Sequence, residues 1–182
     1  MTWGLISCSF FLNTKKIHCM LNNDWSKFTK RIAIKADIAT LYKAWTTQSG
    51  LEHWFLSHAD FKKADGTVRP ADSSIEKGDT YEWHWHGYDG VEKGTILEVN
   101  GVDKLQFLFA GCTVTVKLSE DRGLTLVELT QENIPLEEDV KKNLVVQCGE
   151  GWTFHMADMK SIYEGGLDLR NKDMDRKGVF NC

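Results

Sequence analysis

Residues 80–90 read TYEWHWHGYDG, and their alternation decides the fold class. On an extended chain Tyr81, Trp83 and Trp85 share one face, and Glu82, His84 and His86 share the other. A strand with one aromatic and one polar face needs cover on one side only, as in an antiparallel sheet with one solvated face. The alternation recurs downstream. A turn at GYDG (87–90) leads to a strand over Gly94–Val99, and Asn100-Gly101 is a strong hairpin signal. Leu105, Phe107 and Phe109 alternate next, then Val114, Val116 and Leu118, then a turn over 120–123. The last strand runs over 124–131, with Val127 and Leu129 on one face.

Upstream, Phe28–Ala36 has a rough strand pattern. Asp37 is a good N-cap for a short amphipathic helix over 38–46, in which Ile38, Leu41 and Trp45 fall at helical spacing. Ser49 starts a second short helix with Leu51, Trp54 and Phe55, and residues 55–62 suit a further strand. KKADGTVRPADSSIEKGD (62–79) is a surface loop with room for a short edge strand. Residues 135–151 are mixed, with an apolar knot at Leu144–Val146. A helix over about 152–164 then carries the stripe Trp152, His155, Met156, Met159, Ile162 and Tyr163, and Gly165-Gly166 ends it. This last helix is long enough to cover the meander. The expected class is α+β: a curved antiparallel sheet wrapped around a long C-terminal helix, with two short helices after the first strand.

A chain of 182 residues, 42% apolar and 26% charged, makes one domain with a core of its own. The formal charge of -4 argues against the basic surface of a nucleic-acid binder and against a polybasic membrane patch. Cysteines at 8, 19, 112, 148 and 182 are odd in number and form no CxxC pair, which suits free thiols in a reducing, cytoplasmic setting. WGLISCSFFL (3–12) is too short to span a bilayer, and as a signal peptide its lysines stand on the wrong side. Residues 1–25 therefore read as an extension outside the fold, with Met20 looking like an ordinary protein start. The domain covers 26–171, and 172–182 form a charged tail. Seven Trp beside nine Phe and four Tyr is a high aromatic load for this length.

Several separated segments resemble one family. They are AWTTQSGLEHWF (44–55), KGDTYEWHWHGYDG (77–90), KGTILEVNG (93–101), VTVKLSE (114–120), LVELTQENIP (126–135) and GWTFHMADMKSIYEGGLDLRN (151–171). In this order they resemble the helix-grip (SRPBCC or START-like) superfamily, in the branch named for the activator of heat-shock protein 90 ATPase homologue. The resemblance implies a helix-grip fold with a hydrophobic cavity between sheet and C-terminal helix. It leaves function open, because the superfamily includes lipid carriers, hormone and polyphenol binders, aromatic cyclases and co-chaperones. The eukaryotic co-chaperone has a separate domain before its helix-grip domain. Residues 1–25 leave no room for one, so the chaperone-activating role is not carried over with the name.

The candidate ligand-binding set is Tyr81, Trp83, Trp85, Phe107, Phe109, Trp152, His155, Met156 and Met159. Flat rings give an apolar wall, methionines adapt to shape, and Tyr81 and His155 supply polar orientation. The alternative for each is plain core packing. His155 has a third option, a local surface interaction with Asp158. Glu82, His84 and His86 have the spacing of metal ligands, but an exposed polar sheet face is the favoured account of them, and no metal or other cofactor is expected. No GxSxG, HExxH, P-loop or GxGxxG is present, and no catalytic residue is assigned. The expected function is non-catalytic binding of a small hydrophobic or aromatic molecule by a monomer or weak homodimer. The alternatives are a chaperone-linked or stress-related interaction module, and a cyclase- or hydrolase-type enzyme acting on a hydrophobic substrate.

Overall fold

The structure is a computed structural model that describes residues 24–137 and 144–176. The expected N-terminal extension falls almost wholly outside these residues, as does the end of the tail. The strands are β1 (Lys27–Ile34), β2 (His58–Lys62), β3 (Thr80–Trp85), β4 (Tyr88–Val99), β5 (Lys104–Phe109), β6 (Cys112–Asp121) and β7 (Leu124–Glu132). They form one antiparallel seven-stranded sheet in the order β1-β7-β6-β5-β4-β3-β2. Helices α1 (Ile38–Thr46) and α2 (Gln48–Trp54) connect the two edge strands, β1 and β2. Helix α3 (Gly149–Tyr163) lies along the concave face. The helix grip expected from the sequence is the architecture observed.

Local chemistry sets the element ends. The Asp37 carboxylate accepts from the Thr40 N–H at 2.7 Å and caps α1. The cap of α2 is Thr47, whose hydroxyl accepts from the Gly50 N–H at 3.0 Å, and not Ser49 as the sequence suggested. Ser49 instead holds the following loop, its hydroxyl donating to Asp72 at 2.7 Å. A Cβ on Gly50 would lie 2.6 Å from the Lys43 carbonyl oxygen, so the corner between α1 and α2 is closed to any side chain.

Three strand and helix boundaries differ from expectation. Phe55 and Leu56 both donate back to the Leu51 carbonyl, which closes α2 and delays β2 to His58. The β3–β4 turn is tighter than GYDG: Trp85 pairs with Tyr88, leaving only His86 and Gly87 between the strands. Helix α3 begins three residues before Trp152, and the apolar knot is a single π-helical turn, Leu144–Cys148, that feeds into it. The loop over 63–79 makes one bridge, Val68 with Lys62. It is held by buried Arg69, which donates to the Asp79 carboxylate and pairs with Glu76 at 2.7 Å.

The end of the domain, after α3, packs back on the helices. Arg170 is buried and donates to the carbonyls of Glu52 (3.0 Å), His53 (2.7 Å) and Leu56 (3.0 Å), satisfying the open C-terminus of α2. It also bonds Asp168 and stands 3.5 Å from the Asp158 carboxylate of α3. One side chain thus joins the C-terminal segment, α2 and α3.

Candidate functional site

The concave face is made by alternation. Tyr81, Trp83 and Trp85 of β3 and Phe107 and Phe109 of β5 point inward, toward Trp152, His155, Met156 and Met159 of α3. All nine residues of the sequence-derived set therefore meet in the space between sheet and helix. Tyr81 stacks on Trp83 with ring centroids 4.0 Å apart. Trp83 meets Phe107 edge-on at 5.3 Å, and Phe109 meets Trp152 at 5.1 Å. Trp85 and Phe109 are only partly buried and form the rim.

Two residues left out of that set organise the cluster. Phe55, at the end of α2, touches Trp83 at 5.5 Å, Trp85 at 5.6 Å, Trp152 at 5.3 Å and His155 at 4.8 Å. Trp45 of α1 touches Trp152 at 6.2 Å. Both lie in a segment that reads as ordinary amphipathic helix. Only the chain crossing between the edge strands brings them onto the aromatic wall.

The polar groups among these rings are unusual. Six buried side-chain atoms have no hydrogen-bond partner among the described residues: Trp45 Nε1, Trp83 Nε1, Gln131 Nε2, both His155 ring nitrogens and Asp158 Oδ2. Buried polar atoms are normally satisfied, so such a group in one interior needs a cause. Five of the six sit on residues that touch Phe55 or Trp152, since the Trp152 N–H donates to Gln131 Oε1 at 2.9 Å. Burial, with a contribution from Arg170, drives the His155 imidazole down to about 3, so it is neutral near pH 7. Asp158 does not make the surface interaction considered from the sequence. It is fully buried, accepts from the Leu169 N–H at 2.6 Å and faces Arg170. Burial raises its carboxyl above the usual range.

The hydroxyl of Tyr81 is already engaged, donating to the Leu108 carbonyl of β5. This bond crosses a seam in the sheet. Strand β4 pairs with β5 only from Ile96 to Val99, with a register shift, and the two strands then part. Past that point side chains replace the ladder: Tyr81 reaches Leu108, and Glu92 accepts from the Ala110 N–H at 2.7 Å. A Cβ on Gly94 would lie 2.4 Å from Tyr81 Oη, so glycine clears the path. A cleft of about 480 Å³ opens at the seam, and Tyr81 and Phe109 line both it and the interior.

On the outer face Glu82 pairs with Lys93 at 3.2 Å, and His84 faces His58 across strands. His86 sits in the β3–β4 turn, near Arg170 and Lys172. These three residues do not converge. Among the described residues no three His, Cys, Asp or Glu side chains stand together as metal ligands. Cys112 and Cys148 are free thiols, and burial raises that of Cys148. No helix among the described residues is long and apolar enough to cross a membrane.

A seven-stranded sheet closed over one long helix, with an aromatic interior, defines a helix-grip domain. The chain belongs to the family described as activator of Hsp90 ATPase homolog 1-like protein, whose model matches residues 35–164. Solved structures agree on the fold. The Aha1 dimer from Colwellia psychrerythraea is 20% identical, with a TM-score of 0.61 over 77% of this chain and 97% of that one. A structural-genomics target from Staphylococcus saprophyticus is 18% identical, with a TM-score of 0.63 over 79% and 96%. A protein of the dynemicin biosynthetic locus is 16% identical, with a TM-score of 0.62 over 81% of this chain and 50% of its own. No curated protein matches the chain.

Proposed function

We propose that the protein binds a small, flat, hydrophobic molecule between the sheet and α3, without catalysing a reaction. The observation that supports this best is the set of unpartnered buried nitrogens around Phe55 and Trp152. A cluster built only for packing gains nothing from a buried unpaired donor, which costs about 1–3 kcal/mol. Ligand sites combine apolar walls with a few such polar groups. Met156 and Met159 add adaptable surface to the helix side.

The test is native mass spectrometry and solvent extraction of freshly purified protein. A co-purified small molecule is expected. Trp152→Ala should lose it, and His84→Ala, on the outer face, should retain it. Equal retention by the two variants would place the occupied surface elsewhere.

A second reading, a protein-interaction module, draws on the family and on exposed apolar side chains at the β3–β4 turn. Tyr88 is 64% exposed there, and Met174 is 51% exposed beside Gly87. Titration with a purified chaperone of the heat-shock protein 90 class, comparing the chain with Tyr88→Ser, tests it. Unchanged weak or absent binding would reject it.

A further inference from the structure

Helix α3 is tied to its surroundings by different means on its two sides. Toward β1 the ties are hydrogen bonds: Lys160 donates to the Ala33 carbonyl at 2.7 Å, and Glu164 accepts from the Lys35 N–H at 2.8 Å. Toward β5 the helix makes ring contacts, Trp152 with Phe107 at 6.4 Å and with Phe109 at 5.1 Å. The link from α3 to the β3–β4 turn is made by the chain that follows the helix.

Gly165, at φ +83, and Gly166 turn that chain back. The Leu167 carbonyl accepts from the Ser161 hydroxyl of α3 at 2.6 Å, and the Leu169 N–H donates to Asp158 of α3 at 2.6 Å. Arg170 then takes the open carbonyls at the end of α2, and Met174 Sδ accepts from the Gly87 N–H at 3.3 Å. Residues 167–174 thus run from α3 past the end of α2 to the β3–β4 turn. They pass the end of the aromatic cluster where Phe55 meets Trp85 and His155. Arg170 lies near both His155 and His86.

This segment is held by polar atoms rather than by apolar burial. Leu167 is 79% exposed, Leu169 49% and Met174 51%. Arg170 is the buried anchor, and its guanidinium serves the Glu52, His53 and Leu56 carbonyls and both Asp168 oxygens together. A lysine ammonium, with three donors at one point, cannot reach them all. A segment with little apolar burial opens more readily than the core beneath it.

We propose that residues 167–174 are a clasp that opens as a unit about Gly165-Gly166 while the sheet stays folded, with Arg170 as its catch. Opening uncovers the end of the interior at Phe55, Trp85 and His155. The clasp stands whether or not the interior holds a ligand; where it does, this is the way in.

Amide hydrogen exchange of the full chain, read residue by residue by NMR, tests the opening. The Leu169 and Gly87 N–H groups both bond across the clasp. They should exchange together, and about a hundredfold faster than the buried amides of β6 and β7. Arg170→Lys should speed both about tenfold further and leave the β6 and β7 amides within about twofold. It should also raise the emission of added anilinonaphthalene sulfonate several-fold, as aromatic surface is uncovered. Leu169 and Gly87 exchanging at the β6–β7 rate in the unaltered chain would overturn the proposal, because the segment would then open only with the whole fold. Equal acceleration of all these amides in the variant would do the same. Faster clasp exchange with unchanged dye emission would show that the clasp covers nothing. The catch is tested with Arg170→Ala: methylguanidinium should restore slow exchange at Leu169 and methylammonium should not. Equal effects of the two would remove Arg170 as a guanidinium catch.

Discussion

The two halves of the grip are built by different chemistry. On the β1–β7–β6 side the inner face is aliphatic. Ile34, Val114, Val116, Leu118, Val127 and Leu129 are buried, and the ladders run unbroken over eight residue pairs between β1 and β7 and nine between β6 and β7. On the β3–β4–β5 side aromatic Tyr81, Trp83 and Phe107 join buried Ile96 and Leu105, the β4–β5 ladder lapses after a few pairs, and side chains bridge the gap. Of the six unpartnered buried atoms, each half of the sheet carries one, Trp83 Nε1 on β3 and Gln131 Nε2 on β7, and the other four lie on α1 and α3. The contrast suggests a division of labour. The aliphatic half keeps its ladders whole, and the aromatic half replaces ladder bonds with side-chain bonds; the proposed function puts the ligand on that second half.

Leu129→Ala is the strongest challenge to that division. It should cost about 3 kcal/mol of stability by creating a cavity, seen by urea unfolding. At low temperature, where the variant stays folded, any co-purified small molecule should still be retained, because Leu129 itself makes no contact with the aromatic rings around Phe55. Its loss with the fold intact would show that the halves are not separate.

Gly94→Ala tests the seam. The new methyl would collide with Tyr81 Oη and with the Leu108 carbonyl oxygen, 2.5 Å away, so a loss of about 2 kcal/mol is expected. Adding Tyr81→Phe should recover little of it, since the ring carbon Cζ, 2.5 Å from the new methyl, and the Leu108 carbonyl oxygen both remain. Full recovery would mean that the hydroxyl alone sets the spacing of β4 and β5.

His155 sharpens the comparison with the smallest effect. Its folded pKa, near 3, lies below the ordinary histidine value of 6.5. The unfolded chain therefore binds the proton first as pH falls. The stability due to neutral His155 is whole above about pH 6.5 and is lost from there down toward pH 3, at no more than about 1.4 kcal/mol per pH unit. Asp158, raised by burial, titrates in the opposite sense, so the readout is the difference between the chain and His155→Leu. The variant should lack that slope and gain about 1 kcal/mol at pH 7, because two unpaired nitrogens leave the interior. A destabilised variant would mean that His155 has a structural partner.

Strand periodicity settled much of this in advance. TYEWHWH could alternate in only one way, so the inward set of β3 was legible, as were the alternating faces of β5 and β6 and the stripe on α3. Gly165, at φ +83, ends α3 where a C-terminal glycine should. Boundaries were less legible. Thr47 and Ser49 both suit an N-cap, and which hydroxyl turns to the helix depends on where the following loop offers Ser49 a partner.

The sequence by itself determined the class of fold, the family and which side chains face inward, because these follow from short-range periodicity and from motifs in order. Tertiary structure decided the rest. Phe55 became the centre of the cluster only because α1 and α2 cross between opposite edges of the sheet. Arg170 became the clamp on α2 only because the segment after α3 returns to it, across more than a hundred residues of chain. The unpaired donors are likewise invisible in sequence. Every tryptophan carries an N–H, and only packing decides whether it finds an acceptor, as Trp54 does at the Ala44 carbonyl, or is buried without one, as in Trp45 and Trp83.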